Sequence, residues 1–464
     1  VEETGNGAGG DIEITTGVLE VRGGAQLAAS TLGQGNAGSV IISATDRVAF
    51  AGTSADGQFS SAASSQVEET GNGAGGDIEI TTGVLEVRGG AQLAASTLGQ
   101  GNAGSVIISA ADRVTFAGTS ADGQFVSGSF STIEETGVGA GGDIEITTGV
   151  LEVRGGARLT ASTLGQGNAG DVIITARDSA ELVTGFVLSA VDDTAIGIRG
   201  DVTVRAGDLT LSNDSLISTQ DDRPSSESNT AAGSDIGRLR IIVEDLLVLE
   251  DSDITTEANA FAGGDITIRA GDIQLVGDSD IQTFVQGGSQ GGGDITLTAD
   301  SIIAFDDSDI LAFAADGQGG DITLNTPAFF GENFDPASLD AAPLTLDDND
   351  RVDINATGAV AGVVTTPDVS FIQNSLADLP ENILIPDDLI ANSCIARNED
   401  GSSSFVITGG GGLPEQPGTT TTQYPTGDVQ PLPNADWQPG DPITEPQGLY
   451  QLPNGELVLS HSCQ

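Results

Sequence analysis

The stretch GGDIEITTGVLEVRGGAQLAA, at residues 9–29, decides the fold because it holds three short runs that each alternate apolar and polar residues. In the first run, Ile12 and Ile14 share one side of an extended chain, since side chains in a strand change sides at every residue. The runs at 18–21 and 26–29 alternate similarly, and glycines separate the runs. Each apolar face is too small to fold alone, so the stretch predicts one coil of a repeating β-structure.

The stretch recurs with a period of 66 residues, in repeats that span 1–66, 67–132 and 133–198. Inside each repeat a second strand start follows the first after 28 residues, as Ser39 follows Asp11, so each repeat is a double coil of 28 and 38 residues. Later copies diverge, but the same start keeps returning. Eleven starts can be counted: Asp11, Ser39, Asp77, Ser105, Asp143, Asp171, Asp201, Arg238, Asp265, Asp294 and Asp321.

Strands that recur at this spacing bury their apolar faces only by winding around a common axis and stacking coil on coil. The sequence therefore predicts an all-β fold, a parallel β-helix (solenoid), with a short irregular C-terminal cap and tail. Crossovers between parallel strands are almost always right-handed, so we expect a right-handed helix. Its interior should contain a column of aliphatic residues: Ile12, Val40, Ile78, Val106, Ile144, Val172, Val202, Ile266, Ile295 and Ile322.

Changes in rhythm and composition divide the chain. We expect β-helix repeats over 1–326, and last irregular coils and a cap over 327–398, where prolines interrupt strand pairing. A linker rich in Gly, Pro and Thr should follow over 399–448, then a hairpin tail over 449–464 with its turn at Asn454. The chain begins within a repeat and contains no Met, so we expect it to come from a longer or processed protein.

The charge balance excludes several classes of partner. Sixty-eight acidic residues face fifteen basic ones, all Arg, which gives a net charge of −53. Such a surface repels nucleic acid and anionic lipid, whose binding relies on basic residues. No run approaches the roughly 18 apolar residues of a membrane span, so we expect no membrane insertion. The acidic charge also favours cations and solubility.

Several segments resemble the repeats of filamentous-haemagglutinin-like exoproteins of the two-partner secretion family, cyanobacterial type. They are GGDIEITTG at 9–17, TLGQGNAGDVIITA at 163–176 and LSNDSLIST at 211–219. The segment INATGAVAGVVTTPDVSFIQNSLADLPENILIPDDLIANSCIARN at 354–398, followed by SFVITGGGGLPEQPG at 404–418, is similar to the C-terminal portion of that family.

The resemblance implies a right-handed β-helix at an extracellular or outer cell-surface location, with a role in adhesion or aggregation. The partners that it implies are other cells or a cell-surface or matrix polysaccharide. It also implies an outer-membrane secretion partner, which would act through an N-terminal domain that this sequence lacks. The run GGGG at 409–412 departs from the family in having no basic residue within it.

One turn recurs in three consecutive coils, as LEDSDI at 249–254, VGDSDI at 276–281 and FDDSDI at 305–310. A β-helix would stack its carboxylates about 5 Å apart, where like charges repel. Calcium accepts six to eight oxygen ligands and would turn this repulsion into a clamp. The alternative is that the carboxylates bond their own turn amides and face solvent. The predicted columns are Asp251, Asp278 and Asp307, and Asp253, Asp280 and Asp309.

The two cysteines, Cys394 and Cys463, both lie near the C-terminus. Neither has a second Cys or a His at zinc spacing, so a disulfide between them is predicted if the protein is exported. The alternatives are free thiols or a bridge between molecules.

The sequence contains few of the residue types that usually carry out catalysis. The only His is His461, close to the C-terminus, and there is no Lys. A catalytic triad is therefore not expected, and no cofactor is required. The alternative to a structural adhesin is a β-helix protein that binds or cleaves polysaccharide, because β-helices host pectin-type lyases and hydrolases. Acidic pairs such as Asp192-Asp193 and Asp347-Asp348 are so abundant that no single pair indicates a catalytic site. The loops at 50–66 and 116–132 are either binding loops or solvated excursions.

Overall fold

The computed structural model of the chain describes residues 5–223, 237–259, 261–287, 289–334, 346 and 349–367, together with six short strands nearer the C-terminus. The chain divides into two compact units, Val1–Val369 and Ser370–Gln464. Every regular element of the described residues is a β-strand.

The first unit contains 26 strands joined into one sheet that winds through successive coils. The strands are β1 Ile12–Arg22, β2 Gln26–Ala28, β3 Val40–Ala51, β4 Ala62–Ser64, β5 Ile78–Arg88, β6 Gln92–Ala94, β7 Val106–Ala117, β8 Gly128–Phe130, β9 Ile144–Arg154, β10 Arg158–Thr160, β11 Val172–Val183, β12 Phe186–Val191, β13 Val202–Asp221, β14 Leu239–Val243, β15 Leu246–Ala258, β16 Ile266–Arg269, β17 Asp272–Val276, β18 Ile281–Val285, β19 Ile295–Thr298, β20 Ser301–Ala304, β21 Ile310–Gln318, β22 Ile322–Asn325, β23 Phe329–Gly331, β24 Ile354–Asn355, β25 Gly358–Val360 and β26 Val364–Thr365.

Each coil has three stretches, and each stretch pairs in parallel with the same stretch of the next coil. In the ninth coil they are the separate strands β16, β17 and β18. In the first coil the first two stretches form the single strand β1, and the register against β3 shifts between Thr16 and Val18. This shift bends the strand, and the third stretch, β2, follows a bend at Gly23 and Gly24, whose φ angles of 66° and 80° favour glycine. The predicted parallel β-helix is confirmed. Its right-handed sense is inferred from the rule that crossovers between parallel strands are almost always right-handed.

The predicted aliphatic column is confirmed in full. Ile12 pairs with Val40, Val40 with Ile78, and the series continues coil by coil to Ile322. The structure adds Leu239, which lies between Val202 and Ile266. It also adds Val364, which pairs with Ile322 and begins a twelfth coil. From Val40 to Ile322 the column is at most 1 % exposed, so these side chains form the centre of a continuous core.

The second unit is described only through its strands, which are β27 Ala396–Asn398, β28 Gly401–Ser403, β29 Phe405–Val406, β30 Gln430–Pro431, β31 Gly448–Gln451 and β32 Leu457–Ser460. β27 pairs antiparallel with β28. β31 and β32 flank residues 452–456 and also pair antiparallel. β29 and β30 extend this pair to a four-stranded sheet.

Candidate functional site

The residue that precedes the first stretch of each coil forms a ladder of hydrogen bonds along the first unit. The backbone N–H of Ser39 donates to Oδ1 of Asp11 at 2.8 Å, and the N–H of Asp201 donates to Oδ1 of Asp171 at 2.8 Å. Ser39 and Ser105 accept in the same way through their hydroxyls. The ladder runs from Asp11 to Arg238 and again from Asp265 to the N–H of Val363.

The sequence analysis counted these residues as strand starts but assigned them no contact. Bonds from a backbone N–H to a carboxylate are stronger than neutral ones, so each Asp ties its coil to the next. The signal was already visible, because Asp immediately before the first aliphatic residue recurs in most coils. Much of the regularly spaced acidic charge therefore has a structural use.

The turn before the third stretch carries a second ladder of this kind. Oδ1 of Asp253 accepts the N–H of Asp280 at 3.0 Å, and Oδ1 of Asp280 accepts the N–H of Asp309 at 2.9 Å. Oδ1 of Asp309 in turn accepts the N–H of Asp353 at 2.7 Å. The structure thus brings together the predicted column of Asp253, Asp280 and Asp309. It adds Asp353, whose sequence RVDI at 351–354 also places Asp before Ile.

The other predicted column is wrong at one position. Leu249 pairs with Leu275 and Ile254 with Ile281, so the eighth coil has one residue fewer between these pairs than the ninth. Asp251 therefore does not stack on Asp278. With a φ of 47°, Asp251 takes the left-handed position that Gly277 holds in the next coil, at a φ of 76°.

Asp307 keeps the position expected for it and contacts the next coil. Its Oδ2 accepts the N–H of Asn349 at 2.8 Å, and its Oδ1 accepts the N–H of Arg351 at 3.3 Å. The alternative interpretation is right that these carboxylates bond turn amides, but Asp280 and Asp309 are buried and do not face solvent. The amides that Asp253, Asp280, Asp307 and Asp309 bond belong to the following coil, not to their own turn.

Asp309 is the most perturbed carboxyl of the site. Its side chain is fully buried, and this burial, reinforced by the negative charges of Asp280 and Asp353, raises its pKa to about 9. The N–H of Asp353 opposes the shift without cancelling it. Within the described residues, no hydrogen-bond donor reaches Oδ2 of Asp309. Asp309 is consequently a neutral, protonated acid near pH 7.

The carboxylate next to it is balanced by an Arg. Nη2 of Arg351 lies 2.7 Å from Oδ1 of Asp353, and its Nε donates to Oδ2 at 3.1 Å. The contact of Nη2 with Oδ1 of Asp353 does not have the geometry of a hydrogen bond, but the 2.7 Å between these two atoms makes it a close ion pair. The column thus ends in an ion pair at Asp353, one coil beyond the protonated Asp309. Chemically the arrangement can hold a proton or exchange it for a cation. Among the described residues, no group of three or more Asp, Glu, His or Cys side chains converges as a metal site.

A second buried charge cluster lies at the end of the seventh coil, around Asp221 and Arg223. Arg223 donates to both oxygens of Asp221, from Nε at 2.9 Å and from Nη2 at 2.6 Å. The guanidinium carbon of Arg223 lies 4.1 Å from the centre of the Phe261 ring. Arg199 donates to the carbonyl oxygens of Glu257 and Ala262, and burial lowers the pKa of Arg199 to about 10. The sequence analysis missed this cluster, because its members are far apart in the chain.

Two aromatic residues lie exposed on the outer side of neighbouring coils. Phe305 is 38 % exposed and Phe330 is 58 % exposed, and their ring centres lie 5.8 Å apart. The predicted binding loops have a defined shape, since Thr53 and Ser60 form an antiparallel bridge in the first of them. Oγ of Ser54 accepts the N–H of Phe59 inside this loop, and Phe59 itself is 53 % exposed.

Several predicted residues lie outside the described part of the chain. They are Cys394, Cys463, His461 and the pair Asp347-Asp348. The disulfide therefore stays a prediction. Asp192 and Asp193 are described, and burial together with Asp193 raises the pKa of Asp192.

The fold defines the protein as a repetitive parallel β-helix whose recurring carboxylates join successive coils. In comparisons with known proteins, no family model matches the sequence, and no curated protein or solved structure matches it significantly. Over the residues that the structure describes, there is no helix with the length and apolarity to cross a membrane.

Proposed function

We propose that this chain is a secreted or surface-displayed structural protein that mediates cell-surface adhesion or aggregation and performs no catalysis. The observation that supports the proposal is that the recurring Asp side chains of the chain have a structural role. The Asp side chains of both ladders are engaged in joining coils, as in the bond from the N–H of Asp201 to Asp171. A molecule organised in this way presents long, regular outer faces, which suits contact with large surfaces.

The location and partners belong to the same proposal. The resemblance to filamentous-haemagglutinin-like exoproteins supports an extracellular or outer cell-surface location. The partners would be other cells or a cell-surface or matrix polysaccharide. Export would depend on an outer-membrane secretion partner.

A retention assay tests the proposal. Beads coated with the full chain should aggregate cells or retain matrix polysaccharide without releasing product. Beads coated with an unrelated acidic protein of similar net charge are the control, because they separate specific contact from charge effects. If the coated beads retain nothing, or if the chain depolymerises a polysaccharide, the proposal fails.

Binding of a glycan is the second candidate, and the exposed pair of Phe305 and Phe330 favours it. Aromatic faces stack on the apolar faces of sugar rings, and two rings on adjacent coils offer consecutive contacts. Substitution Phe330→Ala should weaken retention of a bound polysaccharide, whereas Phe59→Ala, which removes an equally exposed ring, should not. Viscosity and reducing-sugar assays on the same polysaccharide would separate binding from cleavage.

Calcium is proposed as an optional ligand of the third-stretch turns. The carboxylates of Asp253, Asp280 and Asp309 lie in one column, and the negative charge of Asp280 is part of what raises the pKa of Asp309. A divalent cation would relieve that repulsion. Calorimetric titration of the metal-free chain at low salt should show heat of binding and a raised melting temperature. An unchanged melting temperature would leave the column as a structural ladder only.

A further inference from the structure

Charge is segregated along the outer face of the first stretches. This face is formed by the strand-start residue of each coil and the residues two and four positions after it. In the first six coils, these positions carry seven acidic residues and no Arg: Asp11, Glu13, Asp77, Glu79, Asp143, Glu145 and Asp171.

The next three coils carry more basic than acidic residues on the same face, where the acidic residues are Asp201 and Asp265. Four Arg side chains lie there, Arg205 on the seventh coil, Arg238 and Arg240 on the eighth, and Arg269 on the ninth. All four are exposed. None of them forms an ion pair with another described residue, whereas Arg22, Arg47, Arg88 and Arg113 on the second stretches pair with Glu side chains. These four side chains, the Arg patch, are a concentrated basic surface on a chain with a net charge of −53.

We propose that the Arg patch binds the acidic part of the same face on a second copy of this chain, in an antiparallel two-fold pair. Such an interface is self-complementary, because the same surface supplies both signs. Glu145 lies on the fifth coil and Arg240 on the eighth, in the same column of the face. A two-fold axis along the strands, between the sixth and seventh coils, brings Arg240 of one copy to Glu145 of the other.

The strand-start column repeats this match between the fifth and eighth coils, although at the axis it also sets Asp201 of one copy against Asp171 of the other. Arg238 stands two residues before Arg240, and Asp143 stands two residues before Glu145, so the same axis sets Arg238 against Asp143. A parallel arrangement of the two copies would place like charges together. Ile173, which lies half-buried between Glu145 and Thr203 in the column, adds apolar contact near the axis. The inference deepens the proposed function, since it names a second copy as one partner in aggregation.

Charge exchange at one position tests the pairing in the full chain. Sedimentation velocity at low salt should show the wild type as a dimer that dissociates in high salt, because exposed charges are then screened. Arg240→Glu alone, or Glu145→Arg alone, should weaken the dimer by about tenfold or more. An equimolar mixture of the two variants should restore it, because each then meets its opposite charge. Glu145 has no part in either ladder, so folding is preserved.

Glu79→Arg is the matched control, because Glu79 occupies the same motif two coils earlier, away from the Arg patch in the pair. It should dimerise like the wild type. A monomeric wild type, or a mixture that stays monomeric, overturns the inference. So does a monomeric wild type whose retention of a polyuronate is lost in Arg240→Glu, which would make the patch a glycan site. A monomeric chain that still aggregates cells would overturn only this inference and leave the proposed function standing.

Discussion

The buried carboxyl of Asp309 makes the stability of the protein depend on pH in an unusual direction. Its pKa is raised from 3.8 to about 9, chiefly by burial. The folded chain therefore holds a proton that the unfolded chain releases. Substitution Asp309→Asn replaces the protonated acid by a neutral side chain of the same shape, which can still accept the N–H of Asp353.

The direction of the pH dependence follows from the pKa of the Asp309 carboxyl, which is 3.8 in the unfolded chain and about 9 in the folded chain. The stabilisation by a proton held with a raised pKa is complete below about pH 4 and is lost as the pH rises towards about 9. One pH unit within that window changes the free energy of unfolding by about 1.4 kcal/mol. Between about pH 5 and about pH 8, this group therefore lowers the wild-type stability by on the order of 4 kcal/mol. Asp309→Asn lacks this loss and should exceed the wild type in stability above about pH 5.

Urea unfolding at fixed ionic strength, across this pH range, measures the difference between the two chains. Other acids, such as the half-buried Asp171 and Glu257, whose pKa values burial also raises, titrate equally in both chains and cancel.

Equal pH dependence in the wild type and in Asp309→Asn would refute the reasoning, because the carboxyl would then be ionised in the folded chain. The same urea unfolding measurements can be repeated with calcium and with chelator. If calcium replaces the proton, it should flatten the wild-type pH profile and leave Asp309→Asn unchanged. A proton-only site would give the same profile with calcium as with chelator.

Three further predictions concern the scaffold. Ile146→Ala should lower the free energy of unfolding by about 2–5 kcal/mol in thermal or urea melts, because Ile146 is 1 % exposed, whereas Thr147→Ala on the outer face should change it little. Asp143→Ala should lower the free energy of unfolding by about 1–3 kcal/mol, because the N–H of Asp171 on the next coil loses its acceptor. Asp143→Asn should recover much of that loss. Asp221→Ala should cost about 3–5 kcal/mol in the same melts, since it leaves buried Arg223 without its carboxylate; a loss below 1 kcal/mol would contradict the buried ion pair.

The features of the fold that follow from the regular spacing of residues could be predicted from the sequence. Aliphatic residues recur at fixed spacing from each strand start, so the core column from Ile12 to Ile322 could be assigned position by position. Leu239 is absent from the predicted column, although the strand start before it, Arg238, is counted. The twelfth coil at Val364 follows a longer and less regular interval than the earlier ones.

The site depends on pairings that local sequence does not reveal. The motifs LEDSDI and VGDSDI look equivalent, but the apolar pairs on either side set their register and displace Asp251 by one position. The ladders were missed for a related reason, because a carboxylate and the amide that it binds are 27 or more residues apart. The pKa of Asp309 arises from the depth of its burial, which the alternation of residues does not encode.

The alternation of charge between neighbouring coils restricts how the length of the protein can change. In the second stretches, Arg22 pairs with Ala51 and Ala51 with Arg88, so coils with Arg at this position alternate with coils without it. Deleting a single coil would bring two Arg guanidiniums within about 5 Å of each other. It would also bring two Glu carboxylates equally close in the column of Glu13, where Glu alternates with Ile. Removing or adding two coils together leaves every neighbour unchanged. Recombination between copies of the gene segment should therefore lengthen or shorten this array by whole double coils, each step altering it by about 10 Å.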